Sequence, residues 1–248
     1  MTTRRLVVCL QIPNLAALIK YAMRKLLFIM LLPAVVLLTD CKTGSSDKNP
    51  SFQFEKGFGS SKERPEGTPF FWPAGVRLLD KPKTYDECFY DAKKKKRLYG
   101  HGGQVWICLN LYNETNAPIQ VKLPPGLMFI SESLDVQNGL LVTGVMIEVP
   151  AREQFFANLY MICVNTDRAS PYLDEYEEQA IVTDHPALRE LQKLLEGKKC
   201  NFEDYGGIYL EPTAVKSSEA INNATHKLIY GKPLTDLVMQ ELRAIPER

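Results

Sequence analysis

The sequence predicts a mainly β fold: an antiparallel β-sandwich followed by a small helical appendix. Three observations carry this. Short apolar runs alternate between residues 69 and 170. Pro, Gly and Asn turns separate them at near-regular spacing. After residue 180 the apolar period becomes helical. Residues 70–79, FFWPAGVRLL, read as a first strand pair. In residues 105–115 Val105, Ile107, Leu109 and Leu111 point one way, and Trp106, Cys108, Asn110 and Tyr112 the other. Asn116-Ala-Pro makes a turn, 119–123 a strand, Pro124-Pro-Gly a second turn, and 127–130 a strand. Residues 139–149 and 153–164 are longer runs rich in β-branched and aromatic residues.

The helical part has its own punctuation. Asp184 can cap 186–196, with Pro186 at its start and Gly197 as its stop. Leu188, Leu191, Leu194 and Leu195 then form one apolar face. Ser217 or Ser218 can cap 219–230, which Gly231 ends. Thr235 can cap 236–245, which Pro246 ends.

Ahead of these elements lies an export signal. Arg24 and Lys25 precede an apolar stretch, Leu26–Leu38, of about a dozen residues, a length that suits a signal peptide and is short for a membrane span. The following LLTDC resembles the lipobox of bacterial lipoproteins, with Leu38 at the −3 position and Cys41 as the cysteine. Asp40 stands where that family has Gly, Ala or Ser. The resemblance implies cleavage before Cys41, lipid on its thiol, and an outer-membrane lipoprotein facing periplasm or cell surface. Lys42 and the Ser/Gly/Asp-rich stretch after it are similar to lipoproteins of the Bacteroidetes kind. Met23 begins an orthodox signal by itself, so 1–22 read as a spurious extension; one long signal from Met1 is the other reading. The chain then divides into 1–22, the signal 23–40, a tether 41–68 whose composition cannot build a core, the sandwich 69–170, and the helical region 171–248.

Three segments together resemble a family of secreted bacterial β-sandwich domains of unknown function. They are Tyr112–Ile119 with Leu123–Phe129, then Tyr160–Asn165, then Val182–Leu188 with Ala224–Thr235. The likeness spans about residues 104–246 and implies an Ig-like sandwich followed by helices, with no activity. A weaker likeness is to adhesin thioester domains, with Cys163 at the cysteine place and Asn222 near the glutamine place. Asparagine is too short for that bond, so no thioester is expected.

Setting Cys9 and Cys41 aside leaves Cys88, Cys108, Cys163 and Cys200. An even number in an oxidising compartment points to disulfides, with buried free thiols as the alternative. Cys108 and Cys163 lie on predicted central strands and are expected to pair, as are Cys88 and Cys200. No C-x-x-C or paired-histidine spacing points to a metal, and no cofactor motif is present. A net charge of +1 gives no footprint for nucleic acid.

The remaining motifs each have a bland reading. Lys93–Arg97 (KKKKR) could meet phosphates or acidic glycans, but reads first as a solvated loop. Asp174, Glu175, Glu177 and Glu178 lack a calcium-loop order and read as a solvated face. Phe70, Phe71 and Trp72 could stack on sugar, and are expected to pack at the sandwich edge. The histidines fall in a glycine-rich loop (His101), at a helix start (His185) and inside a helix (His226). No nucleophile, base and orienting group converge in any motif. The expectation is therefore a membrane-anchored, non-catalytic binding, adhesion or structural module with a protein or glycan partner, contacting it through 98–103 and 131–139. An envelope hydrolase is the alternative, and Cys163 and His226 are the residues whose loss would expose it.

Overall fold

Short apolar runs become strands here, and the two longest become the axis of a sheet. The structure is a computed structural model that describes residues 52–248. The extension 1–22, the signal 23–40 and Cys41 lie outside the described residues. In chain order the strands are β1 (Thr68–Pro69), β2 (Val76–Leu78), β3 (Leu98–Gly100), β4 (Val105–Asn113), β5 (Ile119–Leu123), β6 (Leu127–Phe129), β7 (Gly139–Leu140), β8 (Val145–Val149), β9 (Gln154–Cys163) and β10 (Ile181–Val182). The helices are α1 (Asp86–Lys95), α2 (Arg189–Leu195), α3 (Pro212–Ile229) and α4 (Asp236–Arg243), with 3-10 turns at Pro186–Leu188 and Phe202–Tyr205.

The fold is mainly β with C-terminal helices, and its strand pairs are antiparallel except one. An eight-stranded sheet runs β1-β10-β6-β7-β9-β4-β2, and β3 joins β9 in parallel. β5 and β8 form a separate two-stranded ribbon. Pleat parity decides what each face buries. Val105, Ile107, Leu109 and Leu111 sit opposite Met161, Leu159, Ala157 and Phe155 on one face. They pack against Val121, Leu123, Val145, Ile147 and Val149 of the ribbon. Alternate residues of the sheet's other half, Met128, Leu140 and Ile162, pack instead with Leu188, Leu191, Ile221 and Leu242 of the helices. Helices and sheet thus share a core, and β10 carries strand pairing to residue 182, past the expected boundary at 170. Among the described residues no helix is long and apolar enough to cross a membrane.

Three expectations are corrected. Residues 52–68 are not a free tether. Phe58 is buried with the helical core, and Phe54 packs edge-on against Tyr230. Their glycines make turns rather than slack: Gly57 and Gly59 have φ of 78° and 55°, and the Gly57 carbonyl accepts from Asn138 and Asn165. A helix, α1, forms where none was expected. The third correction concerns α3, which starts at Pro212, six residues before the expected serine caps could act. Glu211 Oε2 accepts from the Ala214 amide at 2.7 Å, and Pro212 occupies the first turn. By contrast, Thr235 caps α4 as expected.

The disulfide is also different. Cys88 is bonded to Cys108, with Cα atoms 6.0 Å apart, while Cys163 and Cys200 are buried free thiols. Parity explains why Cys108 cannot meet Cys163. Cys108 faces Asn158 across the ladder, and Cys163 lies five positions further along β9 on the opposite face. Cys200 sits in the helical core beside the Leu195 carbonyl, whereas Cys88 is held on α1 and bonded to Cys108 of β4.

Candidate functional site

A cleft of about 830 Å³ opens where the ribbon meets α2. One wall is Pro124, Pro125 and Met146, with Lys122 beside them. The other is Arg189, Gln192, Lys193 and Leu195 of α2, and Glu203, Asp204 and Arg248 close its end. Met146 is 44% exposed although apolar, because parity turns it outward from β8 and opposite Lys122. Both cations of the α2 wall are already paired, Arg189 with Asp184 and Lys193 with Glu190.

The end wall is held by a buried asparagine. Asn201 is fully buried; its Nδ2 donates to the Gly144 carbonyl at 2.8 Å, and its Oδ1 accepts from the Thr143 hydroxyl at 2.8 Å. It also forms a capping box with Asp204, whose carboxylate pairs with Arg248 at 2.9 Å. Glu203 is fixed in turn: it accepts from the Gly100 amide and from Asn201 Nδ2, each at 2.9 Å. Burial raises this carboxyl to about 7, against those two hydrogen bonds, which favour the anion. The cleft therefore combines an apolar wall with a carboxyl that changes charge near neutrality.

His101 supports this region without entering it. It is buried, its Nδ1–H donates to the Gly102 carbonyl at 3.1 Å, and its Nε2 accepts from the Val142 amide at 2.9 Å. Desolvation lowers it to about 4, so it is a neutral strut for the chain that lines the cleft. The expectation that 98–103 form a contact surface is overturned, since Leu98, Gly100, His101 and Gly102 are all buried. Of 131–139, only the tip at 132–135 reaches solvent, with Leu134 exposed. The reason is common to both: Gly-rich and polar segments read as loops, yet here they satisfy buried backbone.

A second constellation joins β9 to α3. Cys163 Sγ lies 3.5 Å from His226 Nε2 and 3.9 Å from Gln104 Oε1. The same Nε2 lies 2.9 Å from the Cys163 carbonyl oxygen, which can only accept. Nε2 therefore carries the proton, and it has no lone pair free for the thiol. Burial pushes the Cys163 thiol up. Asn222, placed by the thioester likeness, instead donates to Ser218 Oγ one turn earlier on α3.

Comparisons with protein families, curated proteins and solved structures give no match. The side chains themselves must then carry the functional reading.

The other sequence candidates fall as follows. Phe70 and Trp72 pack against the core between sheet and ribbon, and Phe71 is exposed. Of the acidic group, Glu177 pairs with Arg64 and the Asp174 amide donates to Thr84. Among the described residues no group of His, Cys, Asp and Glu gathers as a metal site. Lys93–Lys95 form the last turn of α1 rather than a loop. The cleft itself was missed. Its walls come from five separate stretches of chain, and the one local signal was the Asn201/Asp204 capping-box spacing.

Proposed function

We propose that this protein is a lipid-anchored binding module of the bacterial envelope that holds an oligosaccharide- or peptide-sized ligand in the cleft beside α2. The cleft carries the reading: about 830 Å³ is within the range of small-ligand sites, and an apolar wall of Pro124, Pro125 and Met146 faces charged and amide side chains that could orient a ligand. The fold is proposed to be an Ig-like sandwich in which one layer is the β5–β8 ribbon, in keeping with the sequence likeness. The anchor is proposed to be lipid on Cys41 in the outer membrane. No catalytic role is assigned to the cleft.

Saturation-transfer NMR against muropeptides, neutral oligosaccharides and tetrapeptides tests the cleft. At least one class should bind at one site, and Met146→Trp, which fills the mouth, should abolish it. Binding by no class, or undiminished binding by the variant, rejects the proposal. Membrane fractionation tests the anchor. Cys41→Ser should move the protein to the soluble fraction; a variant that still pellets after a high-salt wash rules lipid anchoring out.

A thiol hydrolase is the second reading, favoured by the Cys163–His226 contact. Alkylation by iodoacetamide across pH separates the two. The binding-module reading expects slow reaction that rises only above the ordinary thiol pKa and is indifferent to His226→Ala. A midpoint below neutrality that His226→Ala removes would establish a thiolate–imidazolium pair and the enzyme.

A further inference from the structure

We infer that the exposed face of α1, with the loop leading to α3, is a second binding surface, one that takes an acidic polysaccharide. Its frame is a chain of aromatic rings. Phe89 lies 5.3 Å from Tyr90, 5.5 Å from Tyr209 and 5.7 Å from Trp106, in edge-to-face and tilted contacts. Tyr90 is 65% exposed, and Ile208 and Leu210, either side of Tyr209, are 43% and 63% exposed. Leu210 has φ of 57°, a backbone region that an exposed leucine rarely occupies.

The cations stand among these rings. Lys93 Nζ is 4.5 Å from the Tyr209 ring centre and 5.8 Å from that of Phe89. Lys94 follows Tyr90 by one helical turn, on the same side of α1. Lys93, Lys94 and Lys96 are exposed and have no carboxylate partner among the described residues, whereas Lys95 pairs with Asp91. Of the nearby acids, Asp91 pairs with Lys95 and Glu211 caps α3, while Asp86 and Glu87 sit in the first turn of α1, about two turns before Lys93 and Lys94.

Charge complementarity selects the occupant. Aromatic faces suit the C–H faces of sugar rings, tyrosine hydroxyls suit sugar hydroxyls, and free ammonium groups suit carboxylates on the same polymer. A membrane surface is less suited, because only two aliphatic side chains are available to insert. The platform is also rigid, since Cys88–Cys108 fastens α1 to β4 beneath it. Rigid rings lose little freedom on binding.

The test is titration calorimetry of the full chain in detergent, with oligogalacturonate, alginate and hyaluronan as acidic probes. Methyl-esterified oligogalacturonate supplies the same sugar without charge, and polyphosphate supplies charge without sugar. At least one acidic glycan should bind. Tyr90→Ala, and separately Lys93→Ala with Lys94→Ala, should weaken it at least tenfold, while Tyr90→Phe keeps affinity within threefold. If oligogalacturonate is the glycan bound, its methyl ester should bind at least tenfold more weakly. Met146→Trp should leave the affinity unchanged, which separates this surface from the cleft. No binding by any acidic glycan overturns the inference. So does binding that Tyr90→Ala leaves intact and polyphosphate displaces completely, which would mark a merely cationic surface. Unchanged melting of the Tyr90 variants confirms that they are folded.

Discussion

Removing the Cys88–Cys108 bond should destabilise the fold by an amount set by loop closure. The bond spans a sequence separation of 20 and encloses most of α1, all of β3 and the start of β4. Closing a loop of that length in the unfolded chain corresponds to about 3 kcal/mol on the chain-entropy account. Both cysteines are buried, so a Cys88→Ala/Cys108→Ala pair removes two sulfur atoms from a packed site and adds a smaller packing loss. The folded state has other holds on this region: the Cys108 amide donates to the Lys83 carbonyl at 2.7 Å, and α1 packs on β9 through Ala92 and Tyr160. The variant should therefore stay folded, with a melting temperature lower by roughly 6–12 °C for a domain of this size. Urea denaturation of the oxidised protein and the double variant measures the difference. A loss below about 1 kcal/mol would refute the loop-closure reasoning. Two alkylatable thiols at Cys88 and Cys108 in unreduced protein from an oxidising compartment would refute the bond itself.

Two further predictions concern stability. His101 has a folded pKa below its unfolded one, so its stabilising effect is complete above about pH 6.5 and is lost as pH falls toward 4, about 3 kcal/mol in all. Glu203 has the opposite sign: its raised pKa stabilises at low pH, and this is lost as pH rises through about 7. The two should offset each other between roughly pH 4.5 and 6.5, and denaturation of Glu203→Gln across that range should show the steeper acid loss of His101 alone. A flat profile in that variant would contradict the assignment. Asn138→Ala should cost about 1–3 kcal/mol, because Asn138 Oδ1 accepts from the buried Ser131 amide at 3.0 Å and its Nδ2 donates to the Gly57 carbonyl. Proteolysis within residues 52–61 should accelerate with it, and an unchanged cleavage rate would show that Asn138 does not hold the strap.

Local chemistry was legible in the residues by themselves. The alternation from Val105 to Tyr112, the turns at Pro124 and Gly126, the Thr235 cap and the Gly231 stop each act within a few residues, so periodicity and turn chemistry are enough to read them. Partners were not legible. Asn165 donates to Gly57 across 108 residues, and this contact converts a tether-like composition into a packed strap. Strand parity was readable along β4 alone. That Cys163 lies on the far side from the residue facing Cys108 depends on how β9 registers against β4. His226 meets Cys163, and Glu203 meets Gly100, only because α3 and the Phe202–Tyr205 turn dock on particular ends of the sheet. Such choices are made by the packing of whole elements, where burial of large apolar faces outweighs any local preference. Pairings and cleft walls therefore belong to the tertiary structure, and the elements that carry them to the sequence.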